Sequence, residues 1–399
     1  MKFPKLTDLD GDQKAIYSGA PPTESILVIG PPGTGKTVMA FHRAAFLDAM
    51  SASKRDKTLT PVVIMYSKVL QTYTASRERV AENVGSSTMH SWVYGWWKRV
   101  FRMKPPMLPA DEWQHDWGSM LQALIPEASK SGGKVHWGHL IIDEGQDFPR
   151  DMYATLKMVA SLLPREEGNS APAISVFADE NQRLSPNSNS TIEEIVAALA
   201  LTKSRVYWLR KNYRNSRQIA EFARHYYVGL PSGIPDVPAR LGTAKPRLVL
   251  ASALETVRRR IAAYAMNNSG SDVGVLCMRE AVRKQVFNSL SSRLSGTDLV
   301  VQTYSNKVKA EHPPEKLQFD KGGSVTVLNC QSAKGLEFDA VFLVDPFSEG
   351  GGATEQQANM LLYVTASRAR DYLEILVMNP PVNLSARLPS VDLYEKIEE

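Results

Sequence analysis

Residues 30–37 read Gly-Pro-Pro-Gly-Thr-Gly-Lys-Thr, between an apolar run, ILVI, and a stretch with apolar residues at helical spacing, VMAFHRAAFL. This spacing, G-x-x-x-x-G-K-[ST] in a strand–loop–helix setting, constrains the fold more than any other feature of the chain. Glycines let backbone N–H groups wrap phosphate oxygens with no Cβ in the way. Gly30, Gly33, Thr34 and Gly35 form the wrap, Lys36 brings a point charge to the β- and γ-phosphates, and the Thr37 hydroxyl takes a Mg²⁺ position. With glycine at about 7% of residues, the pattern arises by accident in only ~1–2% of chains this long. An α/β domain that binds a nucleoside triphosphate is therefore expected.

Three further apolar strands follow, PVVIMYS (61–67), HLIIDE (139–144) and AISVFAD (173–179), separated by helical or mixed segments suited to crossovers in a parallel sheet. The run HLII delivers Asp143-Glu144-Gly145-Gln146-Asp147 to the carboxyl end of a strand, where α/β proteins bind ligands. Asp143 would hold Mg²⁺ through water, and Glu144 would orient or deprotonate the attacking water. Asp179 and Gln182, in ADENQ at another strand end, are placed to sense the γ-phosphate. Gln13, upstream in LDGDQKAIY, carries an amide able to pair with an adenine edge. From residue 201 the pattern gives a strand, RVYWL, a helix, SRQIAEFARHYY, and a Pro/Gly-rich stretch (230–247) read as a linker or surface excursion. A second β/α series runs through DVGVLCM, SVTVLNC, DAVFLVD and YLEILVM.

At 399 residues the chain can bury two cores, and its 43% hydrophobic and 22% charged content is that of an average globular protein. No run approaches the ~18 apolar residues of a membrane span. The start, MKFPKLTDLDGDQ, has no apolar leader, and only Cys277 and Cys330 are cysteines, with no Cys/His cluster. A disulfide framework and a zinc finger are thus disfavoured, and a cytoplasmic location is expected. A net charge of +5 is compatible with a nucleic-acid partner without requiring one.

The second half supplies arginines in distinctive settings: Arg214 in NYRN and Arg368 in YVTASRARD. A guanidinium suits developing phosphoryl charge, because its planar fork donates to two oxygens and never deprotonates. Among 47 Lys and Arg, any single one is more often a surface ion-pair partner. The ordered set of motifs decides otherwise. Gln13, then GPPGTGKT with Arg43 in FHRAAFL, then YSKVL, STMHSW, DEGQD, ADENQ, NYRN, SAKGLEFDAVFL and YVTASRA resembles, over nearly the whole chain, superfamily 1A helicases of the UvrD/Rep/PcrA type.

The resemblance implies two RecA-like P-loop NTPase domains, parallel sheets flanked by helices, with the ATP cleft between them. Residues 1–200, with a short insertion at about 92–135, would form the first and 201–399 the second. It further implies that Tyr213 stacks on adenine, that Arg214 and Arg368 reach the γ-phosphate, and that Glu337 meets the ribose while Gly335 permits close backbone approach. Arg43 is expected near the base. Strand contacts are implied at Ser67, Lys68, Thr88, His90, Ser91, Ser332 and Lys334, hydroxyls and cations suited to phosphate oxygens. Trp92, Trp96 and Trp97 could stack bases, although core packing is the commoner fate of such residues.

Three departures matter. No aromatic follows Gln182, where RLSPNSNST stands, and Gln331 occupies a position where the family commonly has histidine. Only residues 93–142 and 216–331 are available for the accessory subdomains that full helicases insert there. The expected activity is ATP-driven translocation along single-stranded DNA, with 3′→5′ polarity implied by the family and a partner protein supplying missing subdomains. A regulatory ATPase switch without nucleic-acid grip, as in repair or antiphage defence complexes, and an RNA-directed motor are the alternatives.

Overall fold

The computed structural model describes residues 4–65, 68–75, 84–130, 132–164, 171–182, 189–305, 310–319, 322–348 and 354–399. Two all-parallel sheets organise them. The first, in spatial order β3-β2-β6-β7-β1-β8, comprises β1 (Ile26–Ile29), β2 (Pro61–Met65), β3 (Ser86–Thr88), β6 (His139–Ile142), β7 (Ala173–Ala178) and β8 (Val206–Trp208). A hairpin of β4 (Met107–Leu108) and β5 (Asp111–His115) stands apart. The second sheet, in order β11-β12-β10-β13-β14-β9-β15, comprises β9 (Arg247–Leu250), β10 (Val273–Cys277), β11 (Val300–Tyr304), β12 (Ser324–Asn329), β13 (Phe338–Val344), β14 (Ala369–Val377) and β15 (Glu395–Glu398). The helices are α1 (Gly11–Lys14), α2 (Lys36–Lys54), α3 (Lys68–Ala75), α4 (Met89–Phe101), α5 (Trp117–Lys130), α6 (Gly132–Val135), α7 (Arg150–Leu162), α8 (Ile192–Leu199), α9 (Arg217–Arg224), α10 (Leu254–Asn267), α11 (Glu280–Arg293) and α12 (Glu355–Ala366).

The continuous apolar runs form strands buried on both faces, because alternate residues feed opposite cores. In β1, Ile26 and Val28 enter a core that reaches the second half of the chain, whereas Leu27 and Ile29 enter a core with α4, α5, α7 and α8. In β13, Phe338, Val341 and Leu343 face that shared core, and Ala340, Phe342 and Val344 pack with α10 and α11. The two halves therefore meet through apolar contact that includes Leu209, Phe222 and Tyr363.

The tertiary structure redraws two features of the sequence reading. β8 pairs with β1, so the strand assigned to the C-terminal half lies at the edge of the first sheet. The expected linker at 230–247 folds back on the first half: the buried Ser232 accepts a hydrogen bond from Glu180 N at 2.8 Å, and Gly233 O accepts one from Asn181 Nδ2. The insertion consists of α4, the hairpin, α5 and α6. Trp96 and Trp97 are buried there, Trp96 donating to Val135 O at 2.8 Å with Trp92 stacked on it. Those rings pack the insertion's core rather than present a stacking surface.

Candidate nucleotide cleft

The loop between β1 and α2 has the backbone its glycines allow. Gly33 and Gly35 hold φ near +87°, the left-handed region that disfavours side chains. A Cβ on Gly33 would also lie 2.6 Å from Asn212 Oδ1, so the loop closes against the chain that leaves β8. Tyr213 N donates to Gly33 O at 2.9 Å, reinforcing that contact. The 19-residue α2 starts at Lys36 and points its N-terminal N–H groups and dipole into the loop, a ready anion site. Thr34 turns its hydroxyl back to Pro31 O and shapes the loop from behind. Lys36 Nζ donates to Gly30 O at 2.6 Å and lies 3.5 Å from Asp179 Oδ2.

The carboxyl ends of β6 and β7 bring the acidic groups alongside. Thr37 Oγ1 donates to Asp143 Oδ2 at 2.7 Å, while Asp143 Oδ1 is buried with no hydrogen-bond partner among the described residues. Burial, and then the Glu144 charge, push the Asp143 carboxyl up to about 7. Burial also acts to raise Glu144, but Lys334, Lys36 and Arg368 outweigh it and hold that carboxyl below its ordinary value. Glu144 itself sits in the left-handed region, with φ 55°. Gln146 links the two strand ends: its Nε2 donates to Glu144 Oε2 at 2.6 Å, and its Oε1 accepts from Asp179 N at 2.8 Å.

The second half meets this edge with the amino-terminal ends of β13 and β14. Arg368 Nη2 donates to Gln182 Oε1 at 2.5 Å, and its remaining donors engage Val364 O and Leu336 O. Gln182 Nε2 in turn donates to Asp179 Oδ2, completing a chain from the Arg368 guanidinium to Lys36. Arg214 Nε donates to Glu337 Oε2 at 2.8 Å. Burial alone would raise Glu337, yet the arginines 214 and 370 keep its carboxyl at about 2. The resulting cleft has a volume of about 380 Å³ and is lined by Gln13, Gly33, Gly35, Lys36, Thr37, Glu144, Gln182, Tyr213, Arg214, Gly335, Glu337 and Arg368. Tyr213 is half-exposed at the cleft, its hydroxyl bonded to the Asp10 carboxylate. Gln13 is buried, its Oε1 accepting from Asp10 N in a capping box that starts α1.

The remaining candidates have the following places and partners. Arg43 does not reach the cleft: its buried guanidinium donates to the carbonyls of Ile16, Tyr17, Ala20 and Pro21, clamping the segment that carries Gln13. Its two Nη groups are taken up by these four carbonyls, while its buried Nε has no partner among the described residues. Lys334, assigned to the nucleic-acid strand, is turned instead onto both carboxylate oxygens of Asp147 at 2.6 Å. Both side chains are nearly buried, so this pair bridges the two halves beside Glu144. Lys68 pairs with Glu315 at 2.8 Å across the halves, both partners well exposed. Ser67 lies outside the described residues. Thr88 caps α4 by accepting from Ser91 N, whereas His90 and Ser91 are exposed and Ser332 is half-buried. His90 Nδ1 lies 3.1 Å from His115 Nε2 on the insertion's hairpin. Arg370 and Asp10, which no motif position singled out, also shape the cleft.

Comparison with known proteins gives two family matches. An AAA domain covers residues 22–184, and a UvrD-like helicase C-terminal domain covers residues 324–376. No curated protein matches the sequence. Among solved structures, the C-terminal domain of a possible DNA helicase from Lactobacillus plantarum WCFS1 is similar at 20% identity and TM-score 0.32, over 46% of this chain and 97% of that one. The DUF1998 helicase MrfA bound to DNA is similar at 11% identity and TM-score 0.49, over 94% of this chain and 49% of that one. MrfA bound to DNA and AMPPNP is similar at 11% identity and TM-score 0.47, over 94% and 51%. The chain thus spans about half the length of MrfA. The family matches and the site define the class, an ATP-hydrolysing enzyme of the helicase type. Within that class the chain carries an AAA domain first and a UvrD-like helicase C-terminal domain second.

Proposed function

We propose that this chain is an ATP-driven motor that moves along single-stranded DNA in the 3′→5′ direction, a UvrD-type translocase with reduced accessory parts. The observation that carries the reading is the Arg368–Gln182–Asp179–Lys36 chain, which joins the phosphate loop of one half to an arginine of the other. Nucleotide occupancy then has a direct mechanical consequence: phosphate charge draws the halves together, and its loss releases them. Exposed His90 and Ser91 and half-buried Ser332 are the groups proposed to face the strand.

The residues fit a Mg²⁺ ion. The Thr37 hydroxyl and the partnerless, buried Asp143 Oδ1 are hard oxygen donors, the type Mg²⁺ takes. When bound, the ion would neutralise β,γ-phosphate charge and restore Asp143 to its carboxylate form. Glu144, kept ionised by the surrounding cations, orients the attacking water and takes up its proton. Lys36, Arg214 and Arg368 stabilise charge on the transferring phosphoryl group. Glu337 and Tyr213 hold the nucleoside end.

Turnover of ATP with and without single-stranded DNA tests the proposal, with single-stranded RNA alongside and Lys36→Ala as control. Stimulation by DNA, abolished in Lys36→Ala, is expected, and tailed duplexes then report polarity. Absence of stimulation at low salt would exclude translocation. It would favour a nucleic-acid-independent switch, for which the Lys334–Asp147 pair is the supporting observation. Stronger activation by RNA would indicate an RNA-directed motor.

A further inference from the structure

Two residues beyond Arg368, a third arginine of the second half enters the cleft. Arg370 lines the same cavity as Lys36, Arg214 and Arg368. Its backbone is fixed, because Arg370 O accepts from Ser216 N and from Arg240 Nη2, both at 2.9 Å. Its guanidinium is not. Among the described residues its ion-pair partner is Asp339 Oδ1 at 3.9 Å, too long for a hydrogen bond, and the Asp339 carboxylate already accepts from Asp272 N at 3.0 Å; its charge also acts on the Glu337 carboxylate without a hydrogen bond. Arg368 contrasts with it: every guanidinium nitrogen of Arg368 donates to a protein oxygen and the side chain is buried. Arg214 is likewise committed to Glu337 and Ser367 O. Five donors at the cleft, none with a hydrogen-bond acceptor among the described residues, form an open anion-binding fork.

We infer that Arg370 binds a phosphate group of the nucleotide and acts on ground-state affinity, a role separate from the rate-determining one of Arg214 and Arg368. The inference rests on the assignment of the cleft to ATP. A charge-assisted fork is worth roughly tenfold or more in affinity. It contributes equally before and during phosphoryl transfer, so its removal raises KM and leaves kcat little changed.

The test compares wild type, Arg370→Ala, Arg370→Lys and Asp339→Asn in ATP turnover and in binding of ADP, AMP and adenosine by calorimetry. Arg370→Ala is expected to raise KM for ATP and weaken ADP binding about tenfold, with adenosine binding unchanged and Arg370→Lys recovering part of the loss. Persistence of the loss with AMP places the contact on the α-phosphate, and its absence there places it further along the chain. Wild-type KM and ADP affinity in Arg370→Ala would overturn the inference, as would an equal loss for adenosine. So would the same defect in Asp339→Asn, which would show that the long ion pair supports the fold. Failure of wild type to bind ADP would remove the ATP assignment itself. Lost turnover in Lys36→Ala beside normal affinity in Arg370→Ala would remove this inference alone.

Discussion

The two edges that face each other across the cleft do different kinds of chemistry. The first sheet offers the carboxyl ends of β1, β6 and β7, where a glycine loop and the N-terminus of α2 bind anions with backbone N–H groups. The second sheet offers the amino-terminal ends of β13 and β14, and what it presents are side chains: Glu337, Arg368 and Arg370. A backbone site is rigid and indifferent to small movements of its neighbours. A guanidinium reaching from a second body is effective only when the halves are closed. The difference teaches that, on the reading proposed above, the backbone cradle for phosphate lies in one half, while the other adds side chains, Arg370 for affinity and Arg368 for hydrolysis, that act only when correctly placed.

That asymmetry can be broken most forcefully at Arg368. Replacing it with alanine leaves the phosphate loop intact, so ATP binding should survive within a few-fold while kcat falls by about 10³ or more. Equal loss of binding and turnover would show that the halves are not separable in this way. The Lys334–Asp147 bridge is the next point of attack. Lys334→Met removes a nearly buried contact between the halves and a cation that holds Glu144 ionised. Coupling between strand binding and ATP turnover should weaken by roughly 5–150-fold, read as reduced activation by single-stranded DNA.

A third effect belongs to the first half alone. The Asp143 carboxyl, raised to about 7, is a carboxylate above that pH and a carboxylic acid below it. Protons therefore compete with Mg²⁺ on the acid side, and the Mg²⁺ concentration for half-maximal turnover should rise about tenfold per pH unit below 7. Titrations at pH 6 and pH 8 would show it; a Mg²⁺ requirement independent of pH would place the ion elsewhere. The smallest expected change in activity is at Arg43. Arg43→Met should lower unfolding free energy by about 2–4 kcal/mol, through four carbonyls left without a donor, while KM for ATP stays close to wild type. Denaturant unfolding and steady-state kinetics on the same variant would separate the two quantities.

Much of the first half was legible because its chemistry is local. The phosphate loop needs glycines at fixed spacing, and the acidic turns need only an apolar strand before them. β1, β2, β6 and β7 formed where the apolar runs stood, since a strand buried on both faces has few other ways to satisfy such a run. β3, β9, β11 and β15 were not foreseen. Each is a short or partly exposed strand at or near a sheet edge, where pairing rather than composition makes the strand.

The sequence by itself determined a nucleotide loop on a parallel α/β scaffold and the order of its motifs. Only the tertiary structure decided which cations do which work. Arg43 sits within a motif match yet is spent on backbone carbonyls, Lys334 holds the other half rather than standing free, and Arg370 lies just past the YVTASRA motif yet opens into the cleft. The reason is range. Spacing fixes what a residue can do within a turn, whereas the partner of a guanidinium 186 positions away, as Gln182 is from Arg368, is set by how two sheets pack. Those through-space contacts make a single site from the two halves of the chain.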